Sequence, residues 1–104
     1  GDNVFIMAGG ELLTPPLSAG ALRGITRGAV IGLAAEMGLK VCEPDLTRYD
    51  LYNADECFIT GTAAEIAPVA SIDGRVIGKG KPGPVTKKFI AAYRALTNSE
   101  GEAI

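Results

Sequence analysis

Two short stretches of this sequence carry residues suited to holding an anion. In Leu22-Arg23-Gly24-Ile25-Thr26-Arg27, small residues lead into a segment with apolar positions at helical spacing. The first N–H groups of a helix have no internal partners and lie at the positive end of its dipole. A phosphate placed there accepts those hydrogen bonds, Gly24 lets the backbone come close, and the Thr26 hydroxyl adds a contact. The second stretch is Thr60-Gly61-Thr62-Ala63-Ala64-Glu65, directly after an apolar run. A glycine followed by threonine and small residues presents consecutive N–H groups, a nest for phosphate or carboxylate. Taken singly, neither stretch makes a site. Most helices with such starts bind only water, and the second reads first as an ordinary strand-to-loop turn.

The other polar groups carry less. Glu65 is placed to act as a general base, but a structural or solvated carboxylate is the simpler reading. Lys79 and Lys81 flank glycines in a polar loop, and Lys87-Lys88 fall on the outer side of a helix start. Asp55-Glu56 precedes an apolar strand and fits capping or solvation better than catalysis, while Tyr49 and Tyr52 fit a packing stripe. The sequence has no histidine, which removes Ser-His and Cys-His nucleophiles. Cys42 and Cys57 form no CxxC pair, so zinc of the usual Cys/His type is set aside; two buried, reduced thiols are expected, with a disulfide as the lesser alternative.

The elements that must position these groups follow from pattern and turn chemistry. Val4-Phe5-Ile6-Met7 and Leu12-Leu13-Thr14 read as a hairpin turned at Gly9-Gly10 and ended by Pro15-Pro16. Ile25, Ala29, Val30, Leu33, Ala34 and Met37 recur at helical spacing, predicting a helix over about 25–37 with Gly38 as its stop. Gly28 and Gly32 inside it each cost about 1 kcal/mol against alanine, which close packing on a neighbour would explain. A strand is expected over 40–46. Thr47 and Asp50 form a capping-box pattern for a short helix to Asn53, and a compact strand covers 56–60. A second hairpin is expected with arms 66–72 and 75–77 around Asp73-Gly74. Pro84 opens a last helix with Val85, Phe89, Ala92, Tyr93 and Leu96 inward, fraying after Thr97. Interleaved helices and strands with two hairpins give a mixed α/β class without a simple parallel sheet.

The totals bound the rest. At 104 residues, 47% hydrophobic and 21% charged, the chain is one domain or a piece of one. Ten basic against 12 acidic residues give a net charge of −2, and no basic stripe points to nucleic acid. No apolar run approaches the ~20 residues of a membrane span, and no export pattern opens the chain, so the expected compartment is the cytoplasm. The abrupt start at Gly1-Asp2-Asn3 reads as a chain cut from something longer.

Read together, Leu13-Thr14-Pro15-Pro16-Leu17, Gly24-Ile25-Thr26-Arg27, Thr47-Arg48 with Leu51-Tyr52, Ala54-Asp55-Glu56, Gly61-Thr62-Ala63-Ala64-Glu65, Pro68-Val69 and Gly83-Pro84-Val85-Thr86-Lys87 stand in a telling order. Over residues 1–96 the sequence resembles the C-terminal part of the fold-type IV pyridoxal-phosphate aminotransferases, most closely the branched-chain amino acid enzymes. The resemblance implies that the helix start at Gly24, Ile25 and Thr26 holds the phosphate of pyridoxal 5'-phosphate and that Thr62 adds a contact. It implies that Leu22 packs on the pyridine ring and that Gly61, Thr62 and Ala63 bind the substrate α-carboxylate. The two weak anion sites thus become parts of one.

The same resemblance places the Schiff-base lysine, and the glutamate that pairs with the pyridine nitrogen, upstream of the segment matching Gly1. None of Lys40, Lys79, Lys81, Lys87 and Lys88 falls at that lysine's position, so this chain is expected to be a half-site without catalysis of its own. Gly28 departs from many relatives, which carry a polar or charged residue there. The implied reaction moves the amino group of leucine, isoleucine or valine to 2-oxoglutarate, in a homodimer or larger assembly with small amino and 2-oxo acids as its partners. Within the fold the alternatives are D-amino acid aminotransferase and aminodeoxychorismate lyase. Outside it, the alternative is a non-catalytic module that binds an anion or a partner chain.

Overall fold

A computed structural model of the chain describes residues 3–17, 25–61 and 65–102. Its centre is a five-stranded sheet in the order β3-β2-β1-β4-β5. β1 (Asn3–Ala8) lies in the middle, antiparallel to both β2 (Glu11–Leu13) and β4 (Glu56–Thr60). β3 (Val41–Cys42) runs parallel to β2, and β5 (Ile66–Pro68) antiparallel to β4. The mixed sheet is the mixed α/β class expected, and its two non-hairpin pairings, β1 with β4 and β2 with β3, are tertiary choices.

Alternation in the strands divides the core into two layers. Phe5 and Met7 of β1, Leu12 of β2 and Phe58 of β4 face Val30 and Ala34 of α1 (Ile25–Glu36) and Phe89 and Tyr93 of α3 (Pro84–Glu102). The rings of Phe5 and Phe58 stack at 5.1 Å between centroids, and Phe89 lies 5.4 Å from Phe58. On the opposite face, Ile6, Cys57, Ala54 and Ile77 meet Leu51 of α2 (Arg48–Tyr52) and Ile72 of a separate hairpin, β6 (Ser71–Ile72) with β7 (Arg75–Val76). The described residues thus form two helices, a sheet, then a short helix and a hairpin.

Local chemistry sets most element ends. The hairpin turn carries Asp73 at φ 51° and Gly74 at φ 77°, both positive as a type I′ turn needs. Thr47 and Asp50 form the expected capping box in both directions. At the end of α1, Leu39 N–H bonds Ala34 C=O and Gly38 N–H bonds Ala35 C=O, a Schellman stop with Gly38 at φ 75°.

Five readings of the sequence change. The strand expected over 40–46 shrinks to Val41–Cys42, because Pro44 has no N–H and Glu43 turns to Arg27 instead. The hairpin arm 66–72 splits: Ile66–Pro68 joins β4, and only Ser71–Ile72 pairs across the turn. The last helix runs on through polar residues to Glu102 and does not end at Thr97, where the Thr97 hydroxyl bonds Arg94 C=O. Tyr49 is 76% exposed on the outer side of α2, so it packs into nothing described, while Tyr52 bonds Asp73 and lies under Arg75. Finally, Gly28 and Gly32 are exposed, and a Cβ on either would meet nothing within 4 Å. Close packing among the described residues is therefore not their reason.

Candidate functional site

Because β1 is antiparallel to β2 and β4, and β3 is parallel to β2, the C-terminal ends of β2, β3 and β4 lie at one end of the sheet. Asn3, the first residue of β1, pairs with Thr60, the last of β4. Thr14, just past β2, donates its buried hydroxyl to Val4 C=O at 2.7 Å. The start of α1 is tied to the same end. Arg27 donates through Nη2 to Pro15 C=O and to Glu43 Oε2, each at 3.1 Å.

Arg27 is 7% exposed, whereas the side chain of its partner Glu43 is about half exposed. With the guanidinium buried and only Glu43 meeting water, the pair serves to fix position. It pins the first turn of α1 over the ends of β2 and β3. Thr26, beside it, is also buried, and its hydroxyl lies 3.2 Å from Tyr93 Oη of α3.

The expected site residues fall as follows. Ile25 and Thr26 are the first two residues of α1. Gly61 follows β4 directly and is half-buried. The described members of the two stretches, Ile25 to Arg27 and Thr60 to Gly61, thus lie at one end of one sheet, through the contacts Thr60–Asn3, Val4–Thr14 and Pro15–Arg27. Leu22, Gly24, Thr62 and Ala63 lie outside the described residues. Sequence reasoning missed three groups at this end: Arg27, Tyr93 as a partner of Thr26, and the Thr60 hydroxyl. Arg27 had a signal, a charged residue in the first turn of an apolar helix. The other two had none, since Tyr93 reads as packing.

The donors present fit a phosphate ester. The first turn of α1 holds no acidic residue, so nothing there offsets the positive helix end. One residue before Gly61, the Thr60 hydroxyl is buried and has no hydrogen-bond partner among the described residues. That is a group a bound ligand or water satisfies.

The Cys57 thiol, the lysines and Tyr52 stand elsewhere. Burial pushes the Cys57 thiol up to about 11 on the far face of the sheet. A hydrogen bond to Glu11 raises Lys40, at the start of β3, and one to Asp73 raises Tyr52 in α2. Lys79 and Lys81 sit between Gly78, which abuts Asp55, and Gly83, which abuts Glu56, and Lys87 and Lys88 follow Pro84. All five lysines thus lie toward the opposite end of the sheet from Thr60 and Gly61. Glu65 is exposed, as its simpler reading held. A cavity of about 40 Å³ lined by Glu65, Ile66, Tyr93 and Arg94 is an order of magnitude smaller than the ~300–1,000 Å³ of a cofactor pocket.

The start of α1 and the end of β4 meet at one end of a mixed sheet in an α/β domain. Comparison with known proteins makes the class specific. The family model for amino-transferase class IV matches residues 1–72, and the chain belongs to that family. The branched-chain-amino-acid aminotransferase of Salmonella typhimurium is 51% identical over 102 residues, covering 98% of this chain and 33% of the relative. The crystal structure of the Escherichia coli branched-chain amino acid aminotransferase superposes with a TM-score of 0.86 at 52% identity, covering 92% of this chain and 32% of that one. A T.th. branched-chain amino acid aminotransferase complexed with N-(5'-phosphopyridoxyl)-L-glutamate gives 0.84 at 45% identity, over 89% of this chain and 31% of that one. The fold is that of the fold-type IV aminotransferases, and the chain spans about a third of the length of the relatives it matches.

Proposed function

We propose that this chain is one domain, 1–104, supplying the cofactor-phosphate and substrate-carboxylate side of the active site of a branched-chain amino acid aminotransferase. The complete enzyme moves the amino group of leucine, isoleucine or valine to 2-oxoglutarate. The observation that carries this is the convergence of the α1 start and the Gly61 turn at one sheet end, in a chain half identical to branched-chain aminotransferases. The glutamate adduct in the T.th. relative supports glutamate and 2-oxoglutarate as the second substrate pair.

Pyridoxal 5'-phosphate, when bound, supplies the electron sink that makes the α-proton of an amino acid removable. The chain's own residues bind and orient. Backbone N–H groups of Ile25 and Thr26 would receive the phosphate, and by the family resemblance Gly24 would permit the close approach and Thr62 would add a hydroxyl. By the same resemblance Leu22 would pack on the ring. The N–H groups of Gly61, Thr62 and Ala63 would receive the α-carboxylate, which would hold the substrate from its non-reacting end. No lysine of this chain stands at the site end, so the proton-moving base comes from outside it, and the chain alone is inactive. The family resemblance also supports a homodimer or larger in the cytoplasm.

A coupled transamination assay tests the reading. A complete enzyme carrying this domain turns over leucine, isoleucine or valine with 2-oxoglutarate, and the 104-residue chain alone does not. No turnover of any of the three by the complete enzyme would sink the proposal.

A further inference from the structure

The geometry points to Tyr93 as a positioning residue for the cofactor phosphate, acting through the Thr26 hydroxyl. This inference rests on the reading just proposed and adds to it a residue on a different helix.

The contact joins residues 67 apart in sequence, Thr26 Oγ1 and Tyr93 Oη at 3.2 Å, in a buried setting. Thr26 is the second residue of α1 as described, and its hydroxyl finds its partner on α3. Tyr93 is itself fixed: its ring belongs to the cluster of Phe5, Phe58 and Phe89, which is the stacked centre of the core. The ring serves packing, but packing alone would be served by phenylalanine. The hydroxyl is what links the aromatic core to the first turn of α1.

Arg27 holds the same turn from the other side, toward β2 and β3. With Tyr93 on one flank and Pro15 and Glu43 on the other, the first turn of α1 is held at both edges. A donor pair held in direction gives up less freedom when an anion binds, so loss of the hydroxyl reads out as weaker phosphate binding.

The test is Tyr93→Phe in the complete enzyme, with binding of pyridoxal 5'-phosphate and of pyridoxal, which lacks the phosphate, titrated by absorbance. The expected result is pyridoxal 5'-phosphate binding weaker by about three- to tenfold, the range one hydrogen bond covers, with pyridoxal binding changed less than twofold. Thr26→Val should reproduce that loss, the double variant should lose no more than either single, and Thr26→Ser should bind as the parent does. Equal weakening toward both ligands would make Tyr93 a structural residue only and overturn the inference, as would unchanged discrimination between them. Should the unsubstituted complete enzyme discriminate poorly between the two ligands, the phosphate assignment of α1 itself fails, and the role of Tyr93 with it.

Discussion

The start of α3 offers the sharpest test of how this domain is held together. A helix leaves its first N–H groups without internal partners, and a side chain at the N-cap usually takes one of them. Here Pro84 has no N–H, Lys87 N–H bonds Gly83 C=O, and the two groups left, Val85 and Thr86, both donate to the Glu56 carboxylate at 3.3 and 2.8 Å. Glu56 belongs to β4, so the cap is supplied across the fold. Gly83 occupies the N-cap position because any Cβ there would run into the Glu56 carboxylate. Glu56→Ala removes a charged acceptor of two hydrogen bonds at a half-buried site. Loss of a cap costs ~0.5–2 kcal/mol and bonds to a charged group somewhat more, so about 2 kcal/mol is expected here. In hydrogen exchange of the complete enzyme, amides at the start of α3 should exchange about 30-fold faster, with little change in β1. Gly83→Asp alone should also destabilise, since its side chain displaces Glu56. Combined with Glu56→Ala it should regain about 1 kcal/mol, because the new carboxylate then occupies the vacated cap. Exchange within twofold of the parent for Glu56→Ala, or strictly additive losses in the double variant, would refute the cross-fold cap.

Further outcomes are expected elsewhere. Gly28→Ala and Gly32→Ala should each raise helix stability by about 1 kcal/mol and so raise the melting temperature, since both positions are open; a fall would mean that another segment covers that face. Phe58→Ala should cost ~3–5 kcal/mol in urea unfolding by opening a cavity between Phe5 and Phe89. Cys57 keeps its proton in the folded state up to about pH 11 but loses it near 9 when unfolded. Stability from this group is therefore complete below pH 9 and lost as pH rises to 11, by about 3 kcal/mol, and Cys57→Ala should flatten that alkaline loss. Below pH 9, a thiol reagent should label half-buried Cys42 well before buried Cys57.

Sequence by itself determined what a few neighbouring residues decide. The Asp73-Gly74 turn, the Thr47/Asp50 capping box and the Gly38 stop all depend on contacts within about five residues, and all were legible. The two anion stretches were legible as chemistry, and their ordered motifs as a family, because backbone N–H groups at a helix start need no distant partner to exist. Tertiary structure alone decided which distant residues complete them. Glu56 caps a helix 30 residues on, Tyr93 meets Thr26 across 67, and Arg27 turns to Pro15 and Glu43. Those partners are chosen by how two helices and five strands bury their apolar faces together, a balance taken over the whole chain. That balance also cut 66–72 into two strands and left Gly28 and Gly32 facing outward, outcomes no local pattern encodes.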